Sequence, residues 1–405
     1  MTQRVVIAGV SARGMAESAV RAGYTVVAFD AYADLDLAAI ADTRQVTPYS
    51  ARATATAARR GAPPPSNGTA RHNGAARDAV GEDAVGRDAV CYVSNFENHP
   101  GALRQLSRDR ELWGNSPATI ASARNPRGWA QALADAGIAV PRTRTTAPRP
   151  GTADARARWM LKPRRSGGGH GVQAWQPGMP VPNGYVLQER IPGTAGSIVF
   201  AADGRRAVAI AITRQLIGER PFGAPAFRYC GNVLAPARDP VWGDDTPLWR
   251  EAVAIAAAAT RAFGLSGVNG IDFIVRRGHP VPIEINPRFT AAMELAERRD
   301  GISIFGAHVA GCTRRLSSYL PLRTRDHGTG AAGKAIVFSR HALTVGRAAS
   351  RWVAGENVRD IPRPGSPIPS GAPICSVFAE APTTAACRAR LVQAARRIYE
   401  TVASD

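Results

Sequence analysis

The chain has 405 residues and a formal charge of +19; apolar residues make up 45% and charged ones 20%. These are the proportions of a globular protein long enough for several domains. No apolar run approaches the roughly 18 residues that cross a bilayer, so no membrane partner is expected. The cysteines are odd in number and scattered without a C-x-x-C pair, which argues against a disulfide framework or a zinc ribbon.

In chain order, the sequence opens on "RVVIAGV" (4–10), a strand-like run with no charged and apolar leader before it, so a cytoplasmic protein is expected. A helical segment (12–23) and a second strand, "YTVVAFD" (24–30), complete a βαβ start. Gly9 and Gly14 do not make G-x-G-x-x-G, and no Walker lysine follows. A nicotinamide oxidoreductase is therefore disfavoured, and Asp30 is expected to cap a turn or face solvent rather than hold a ribose. Residues 51–77 are rich in breakers and read as a flexible insertion. The thrice-repeated Asp-Ala-Val of 76–90 feeds a strand near 89–98.

Two helices then lead through "GIAVPRT" into a second unit, and "LWREAVAIAAAATRAFG" (248–264) is a helix with an alanine-rich stripe. The tail from about residue 330 is β-rich and closes on a helix over about 383–402. The arginines are spread over the whole length, without a basic helix, interleaved aromatics or zinc-finger spacing. No specific nucleic-acid partner is expected from the charge.

The stretch 271–289 carries the first candidate site. In "IDFIV" Ile271, Phe273 and Val275 share one strand face and Asp272 takes the other; in "PIEIN" Glu284 and Asn286 oppose Ile283 and Ile285. A turn centred on Gly278 places Asp272 opposite Glu284. Opposed carboxylates on a sheet need neutralising, and an all-oxygen Asp, Glu and Asn set suits Mg²⁺, with Mn²⁺ as a substitute. A solvated acidic sheet face is the other reading of the same pattern. Arg288 falls beside the cluster, where it can clamp an anionic group.

A second candidate is "LKPRRSGGGHG". Among 51 basic residues only Lys162 and Lys334 are lysines, and Lys162 stands just before a glycine-dense loop. Glycine lets backbone N–H groups approach phosphate, and lysine supplies a compact point charge that arginine's planar fork does not reproduce. A mobile hairpin tip is the plainer alternative.

Taken together these pieces resemble the ATP-grasp superfamily of ATP-dependent carboxylate–amine ligases. The motifs run in that superfamily's order: a small α/β unit, the Lys162 and Ser166–Gly169 phosphate loop, a "VLQERIPG" hinge, the Asp272 hairpin, and the Glu-x-Asn-Pro-Arg run. The tail resembles the β-rich tail of carboxylase-type members. The resemblance implies an ATP-grasp fold of α/β and α+β parts with an N-terminal Rossmann-like (pre-ATP-grasp) domain and a small β-rich C-terminal tail. It divides the chain into 1–122, a small subdomain at 123–187, a large subdomain at 188–329, and 330–405.

By resemblance, Lys162, Ser166, Gly167, Gly168 and Gly169 contact the phosphates of ATP. Gln188, Glu189 and Ile191 border the adenine; Asp272, Glu284 and Asn286 hold the metal; Arg288 is the catalytic clamp. Arg228 and Tyr229, within 215–232, line the acceptor pocket. A small carboxylate and an amine are the implied substrates, and a homodimer is one implied assembly. The stretches "FRYCGN" and "NSPATIASARNP" are similar to tyramine–glutamate ligase-type enzymes of methanofuran or methylofuran assembly. One departure stands out: the lysine usual near "SARNPRGWA" is missing, leaving Arg124 or Arg127 to serve. That departure keeps a non-catalytic ATP-binding protein as the alternative.

Overall fold

The computed structural model describes residues 3–61, 88–149, 151–152, 154, 157–319, 329–348, 352 and 357–403. The N-terminal unit alternates β1 (Arg4–Ala8), α1 (Arg13–Arg21), β2 (Thr25–Asp30), α2 (Leu35–Ala38), β3 (Asp42–Gln45), α3 (Ala51–Gly61) and β4 (Ala89–Tyr92). Its sheet runs β3-β2-β1-β4, all parallel. Burial on both faces explains the unbroken apolar runs read in β1 and β2.

One expectation is corrected here and another is narrowed. Residues 51–61 are not an insertion but the helix α3, whose Ala51, Thr54, Ala55 and Ala58 are buried. Small residues at helical spacing let it lie close against the sheet, which the breaker-rich composition downstream obscured. The remainder of the expected insertion, 62–77, lies outside the described residues, as does most of the Asp-Ala-Val repeat. Of the two expectations for Asp30, a turn cap and a solvent-facing acid, the structure shows the cap. Its buried carboxylate accepts from the N–H groups of Ala12, Tyr32 and Ala33 at 2.6–2.7 Å. Burial pushes that carboxyl above its ordinary value, and the three N–H donors work against the push.

Helices α4 (Pro100–Leu106), α5 (Pro117–Ala123) and α6 (Pro126–Asp135) follow. Ser116 and Asn125 cap α5 and α6, and each helix has proline at its start. Pro126 bars the residue before it from helical geometry. The chain therefore corners between α5 and α6, and Arg124 stands at that corner.

A four-stranded antiparallel sheet comes next, ordered β5-β8-β6-β7, from β5 (Thr143–Arg144), β6 (Trp159–Pro163), β7 (Gln173–Trp175) and β8 (Tyr185–Glu189). The remaining strands form one eight-stranded sheet. They are β9 (Thr194–Asp203), β10 (Ala207–Ile217), β11 (Tyr229–Leu234), β12 (Ser266–Arg276), β13 (His279–Asn286), β14 (Ala331–Phe338), β16 (Val358–Arg359) and β18 (Pro373–Ala381). Their order is β13-β12-β9-β10-β11-β14-β18-β16, so the tail strands extend the sheet that carries the acidic hairpin. Two short strands, β15 (Leu343–Thr344) and β17 (Pro367–Ile368), pair separately.

Helix α7 (Pro247–Phe263) covers one face of the large sheet through Leu248, Ala252, Ile255, Ala256 and Ala259. Helices α8 (Met293–Asp300) and α9 (Ile304–Cys312) join the core that the large sheet shares with α1, β1 and β2. The C-terminal α10 (Thr384–Ala403) packs on β14 and β18. All five cysteines are free thiols. Among the described residues no helix is long and apolar enough to cross a membrane.

Candidate active site

Asp272 and Glu284 are direct partners across the β12–β13 hairpin. The route to that pairing differs from a simple fold about Gly278. Arg277 and Gly278 both have positive φ (54° and 87°), making a two-residue turn that pairs Arg276 with His279. Continued strictly, that register would put Ile283 opposite Asp272. A bulge between Asp272 and Phe273 shifts the pairing by one residue. Prolines at 280 and 282 remove two ladder donors beside it, and prolines are tolerated at such irregular places. The bulge brings the two acids together.

The acids are not equivalent. Glu284 forms an ion pair with Arg124, which also bonds the Ser166 carbonyl (2.9 Å) and Asn98 Oδ1 (3.1 Å). Burial opposes ionisation of Glu284, but Arg124 and then Lys162 hold its carboxyl below the ordinary value. Asp272 accepts from Gln215 Nε2 at 2.9 Å and Asn286 Nδ2 at 3.1 Å. Burial, reinforced by the Glu284 charge, pushes the Asp272 carboxyl up to about 7.

Two half-buried carboxylates thus face one another, one held down by Arg124 and the other raised. Two acids and an amide match the few protein oxygens that Mg²⁺ takes when waters and phosphates complete its shell. Among the described residues no set of three or more His, Cys, Asp or Glu side chains gathers as a metal site, here or elsewhere.

Lys162, at the end of β6, reaches toward the same place. Its Nζ donates to Gln188 Oε1 at 3.0 Å, and Gln188 Nε2 donates to the Ile283 carbonyl at 3.2 Å. Gln188 thereby ties the small sheet to the bulged hairpin through its side chain. Burial lowers the affinity of Lys162 for its proton, and the charge of Glu284 works against that. The glycine-dense loop is ordered by Ser166 Oγ donating to the His170 carbonyl (2.9 Å) and by Tyr229 N donating to the Gly168 carbonyl (3.1 Å).

Gly169 has φ +74°, and a Cβ there would lie 1.9 Å from the Phe227 carbonyl oxygen. Gly169→Ala therefore strains the backbone and forces the loop off residues 227–229. About 1–3 kcal/mol of such strain should show as lost stability in denaturant unfolding. An unchanged unfolding midpoint would show that this contact is dispensable.

The other sequence-derived residues fall around this centre. Arg288 donates to Glu97 at 2.7 Å and lies 3.5 Å from Asn286 Oδ1, so it stands beside the acids but is anchored by a buried glutamate. Arg228 lies 3.4 Å from His170 Nε2 and over the Phe338 ring; the Tyr229 hydroxyl donates to Asn232. Glu189 pairs outward with Arg142 at 2.9 Å, and Ile191 is half-buried just past β8. Of the two arginines offered for the missing lysine, Arg124 enters the site, whereas Arg127 bonds Thr145 at the surface.

Sequence reasoning missed Glu97 and Asn98, which come from the N-terminal unit. Nothing in "NFENH" marks them beyond polar residues after a strand. Gln215 was within reach, as the first residue of the segment assigned to the acceptor pocket.

Residues 124–292 match the family model described as an ATP-grasp domain. No curated protein sequence matches the chain. Among solved structures, N5-carboxyaminoimidazole ribonucleotide synthetase from Thermotoga maritima is similar at a TM-score of 0.63 and 13% identity, covering 98% of each chain. An L-amino acid ligase from Bacillus licheniformis is similar at 0.63 and 14%, covering 97% of each chain. The biotin carboxylase domain of 2-oxoglutarate carboxylase from Hydrogenobacter thermophilus, a dimer in complex with MgADP, ADP and bicarbonate, is similar at 0.64 and 13%. It covers 96% of this chain and 88% of that one. At these identities the likeness is one of fold.

Proposed function

We propose, from the ATP-grasp fold of this chain and the ATP-grasp domain at residues 124–292, that it is an ATP-dependent ligase joining a carboxylate to an amine. The observation that carries this reading is the bulged hairpin. It sets Asp272 against Glu284 while Gln188 and Arg124 connect that pair to Lys162 and the glycine-dense loop. A metal-acid pair and a phosphate loop serve one another only if a nucleotide lies between them.

In this reading Lys162 and the N–H groups of Ser166–Gly169 receive the phosphates, and the Gln188–Ile191 segment borders the base. Asp272, Glu284 and Asn286 would hold Mg²⁺, which supplies charge neutralisation at the transferring phosphoryl group. The substrate carboxylate attacks the γ-phosphorus; the bond to the β-phosphate oxygen breaks and ADP leaves. The amine nitrogen then attacks the acyl phosphate, inorganic phosphate departs, and the nitrogen loses a proton as the amide forms. Arg288, fixed by Glu97, is placed to steady the phosphoryl oxygens, and closure of the glycine loop keeps water from the acyl phosphate. Arg228 and Tyr229 border the amine side. The likeness of "FRYCGN" to tyramine–glutamate ligase-type enzymes makes glutamate the first acid to try and one-carbon cofactor assembly the pathway class.

One observation favours a second reading, binding of ATP without turnover: Arg124 occupies the Glu284 carboxylate. Amine-dependent ADP release, measured over a panel of carboxylates with Mg²⁺ and then Mn²⁺, separates the two. Release that needs both substrates supports the ligase. Nucleotide binding with no release under any pair overturns it.

A further inference from the structure

Beside the candidate site lies a cavity of about 480 Å³ whose lining includes Arg52 of α3, Asn98 and His99, Gln105 of α4, and Arg165 of the glycine-dense loop. Three of these side chains, Arg52, His99 and Arg165, carry or can carry positive charge, and among the described residues no carboxylate lines the space. Almost every other cation near the site is already committed: Arg124 to Glu284, Arg288 to Glu97, Arg142 to Glu189. By contrast, no hydrogen bond or ion pair reaches the side chains of Arg52, His99 or Arg165 among the described residues. Burial, and then the neighbouring Arg165 charge, push the His99 imidazole below its ordinary range.

The nearest acid that acts on His99, Glu97, does not line the cavity and is bonded to Arg288. Arg52 and Arg165 are exposed and His99 is half-buried, so the space opens to solvent, and an anion entering it would gain two guanidinium partners. The cavity also adjoins the chemistry. Asn98 accepts from Arg124 at 3.1 Å, and Arg165 directly precedes Ser166, whose carbonyl Arg124 also bonds.

We propose that this cavity holds a second anionic group, carboxylate or phosphate, of the acid substrate, so that the acid is at least a dianion. Its reacting carboxylate lies toward Arg124 and the phosphoryl site, and its far anion lies among Arg52, His99 and Arg165. This deepens the ligase reading and rests on it for the identity of the reacting end, but the anion site itself can be tested without turnover. Arg52 comes from the N-terminal unit and Arg165 from the glycine-dense loop of the ATP-grasp domain. Binding of the acid would therefore draw the two units together over the site.

The test is calorimetric titration of the full chain, saturated with Mg²⁺ and a non-hydrolysable ATP analogue, with butyrate, glutarate and 4-phosphonobutyrate. Either dianion is expected to bind at least tenfold more tightly than butyrate, and the better of the two names the far group. Arg52→Gln should weaken the dianion roughly tenfold while leaving butyrate unchanged, since it removes a charge-assisted bond; His99→Gln, which removes a neutral donor, should weaken it less. Arg52 is exposed, so its variant reports on binding even if His99→Gln is unstable. Equal binding of mono- and dianions, no binding of any, or unaltered affinity in Arg52→Gln would overturn the proposal. So would competition between the dianion and the ATP analogue, which would assign the cavity to the nucleotide. Selective dianion binding with no ADP release under any amine would leave the anion site standing and remove the ligase reading instead.

Discussion

Replacing Glu284 by glutamine is expected to cut amine-dependent ADP release by about a hundredfold or more, the scale set by loss of a charge stabiliser in phosphoryl transfer. The same substitution has a second effect, which must be separated from the first. Glu284, with a side chain 27% exposed, is the ion-pair partner of Arg124, whose side chain is 11% exposed, and stranding that mostly buried cation costs about 3 kcal/mol of stability, the low end for a buried pair. A fall in activity could then report a loosened fold. Pairing Glu284→Gln with Arg124→Met removes the stranded cation and should recover most of the melting temperature. Under the ligase reading activity should stay lost, because the carboxylate proposed to hold the metal is still missing. Recovery of ADP release in the double variant, or full release in Glu284→Gln alone, would remove Glu284 from the site.

Lys162 is expected to behave in parallel, with Lys162→Ala losing turnover and Lys162→Arg failing to restore it. A guanidinium cannot take the place of a compact ammonium 3.0 Å from Gln188 Oε1 without displacing that side chain. In a chain that uses arginine almost everywhere else, this substitution is the sharper of the two.

How much of this was legible beforehand depends on the range of each signal. The strand faces of 271–275 and 282–286 were readable because alternation is local, and the structure pairs Asp272 with Glu284 as expected. The bulge that achieves it was not readable, because it depends on where a two-residue turn starts its register. The ATP-grasp fold was legible from motif order alone. Helix α3 was hidden by its neighbours: its own alanines fit a helix, but the prolines and glycines after it dominated the window.

Lys334 shows the opposite limit. It is as rare as Lys162, yet no nearby residue explains it. Its Nζ lies 2.5 Å from Glu294 Oε1, 3.7 Å from Asp360 Oδ2 and 5.3 Å from the centre of the Phe378 ring. Those partners come from three separate elements, and no local pattern can assemble them.

That cluster around Lys334 yields the other large expected effect. Arg13, 1% exposed at the start of α1, bonds Glu294 at 2.5 Å, Glu17 at 2.8 Å and Asp360 at 2.9 Å. Arg13→Met keeps the length of the side chain but leaves three carboxylates with Lys334 as the main remaining buried cation. Loss of about 3–5 kcal/mol in denaturant unfolding is expected, the cost of stranding buried charge. The pH dependence gives an independent check. Burial alone would raise the Asp360 carboxyl, but Arg13, followed by Lys334, holds it well below the ordinary aspartate value. A carboxyl with a depressed folded-state pKa contributes stability above its unfolded pKa, about 3.9, and loses that contribution as pH falls below it. The stability difference between the natural chain and Arg13→Met should therefore be full at pH 7 and shrink below about pH 4. A loss under about 1 kcal/mol, or one that stays constant down to pH 3, would reduce the cluster to the worth of a surface pair. A full loss would identify the brace for the site, because Glu294 opens α8 six residues after Arg288. Through Arg13, Lys334 and Asp360, that glutamate fixes the end of the acidic hairpin to the N-terminal unit and to the tail at once.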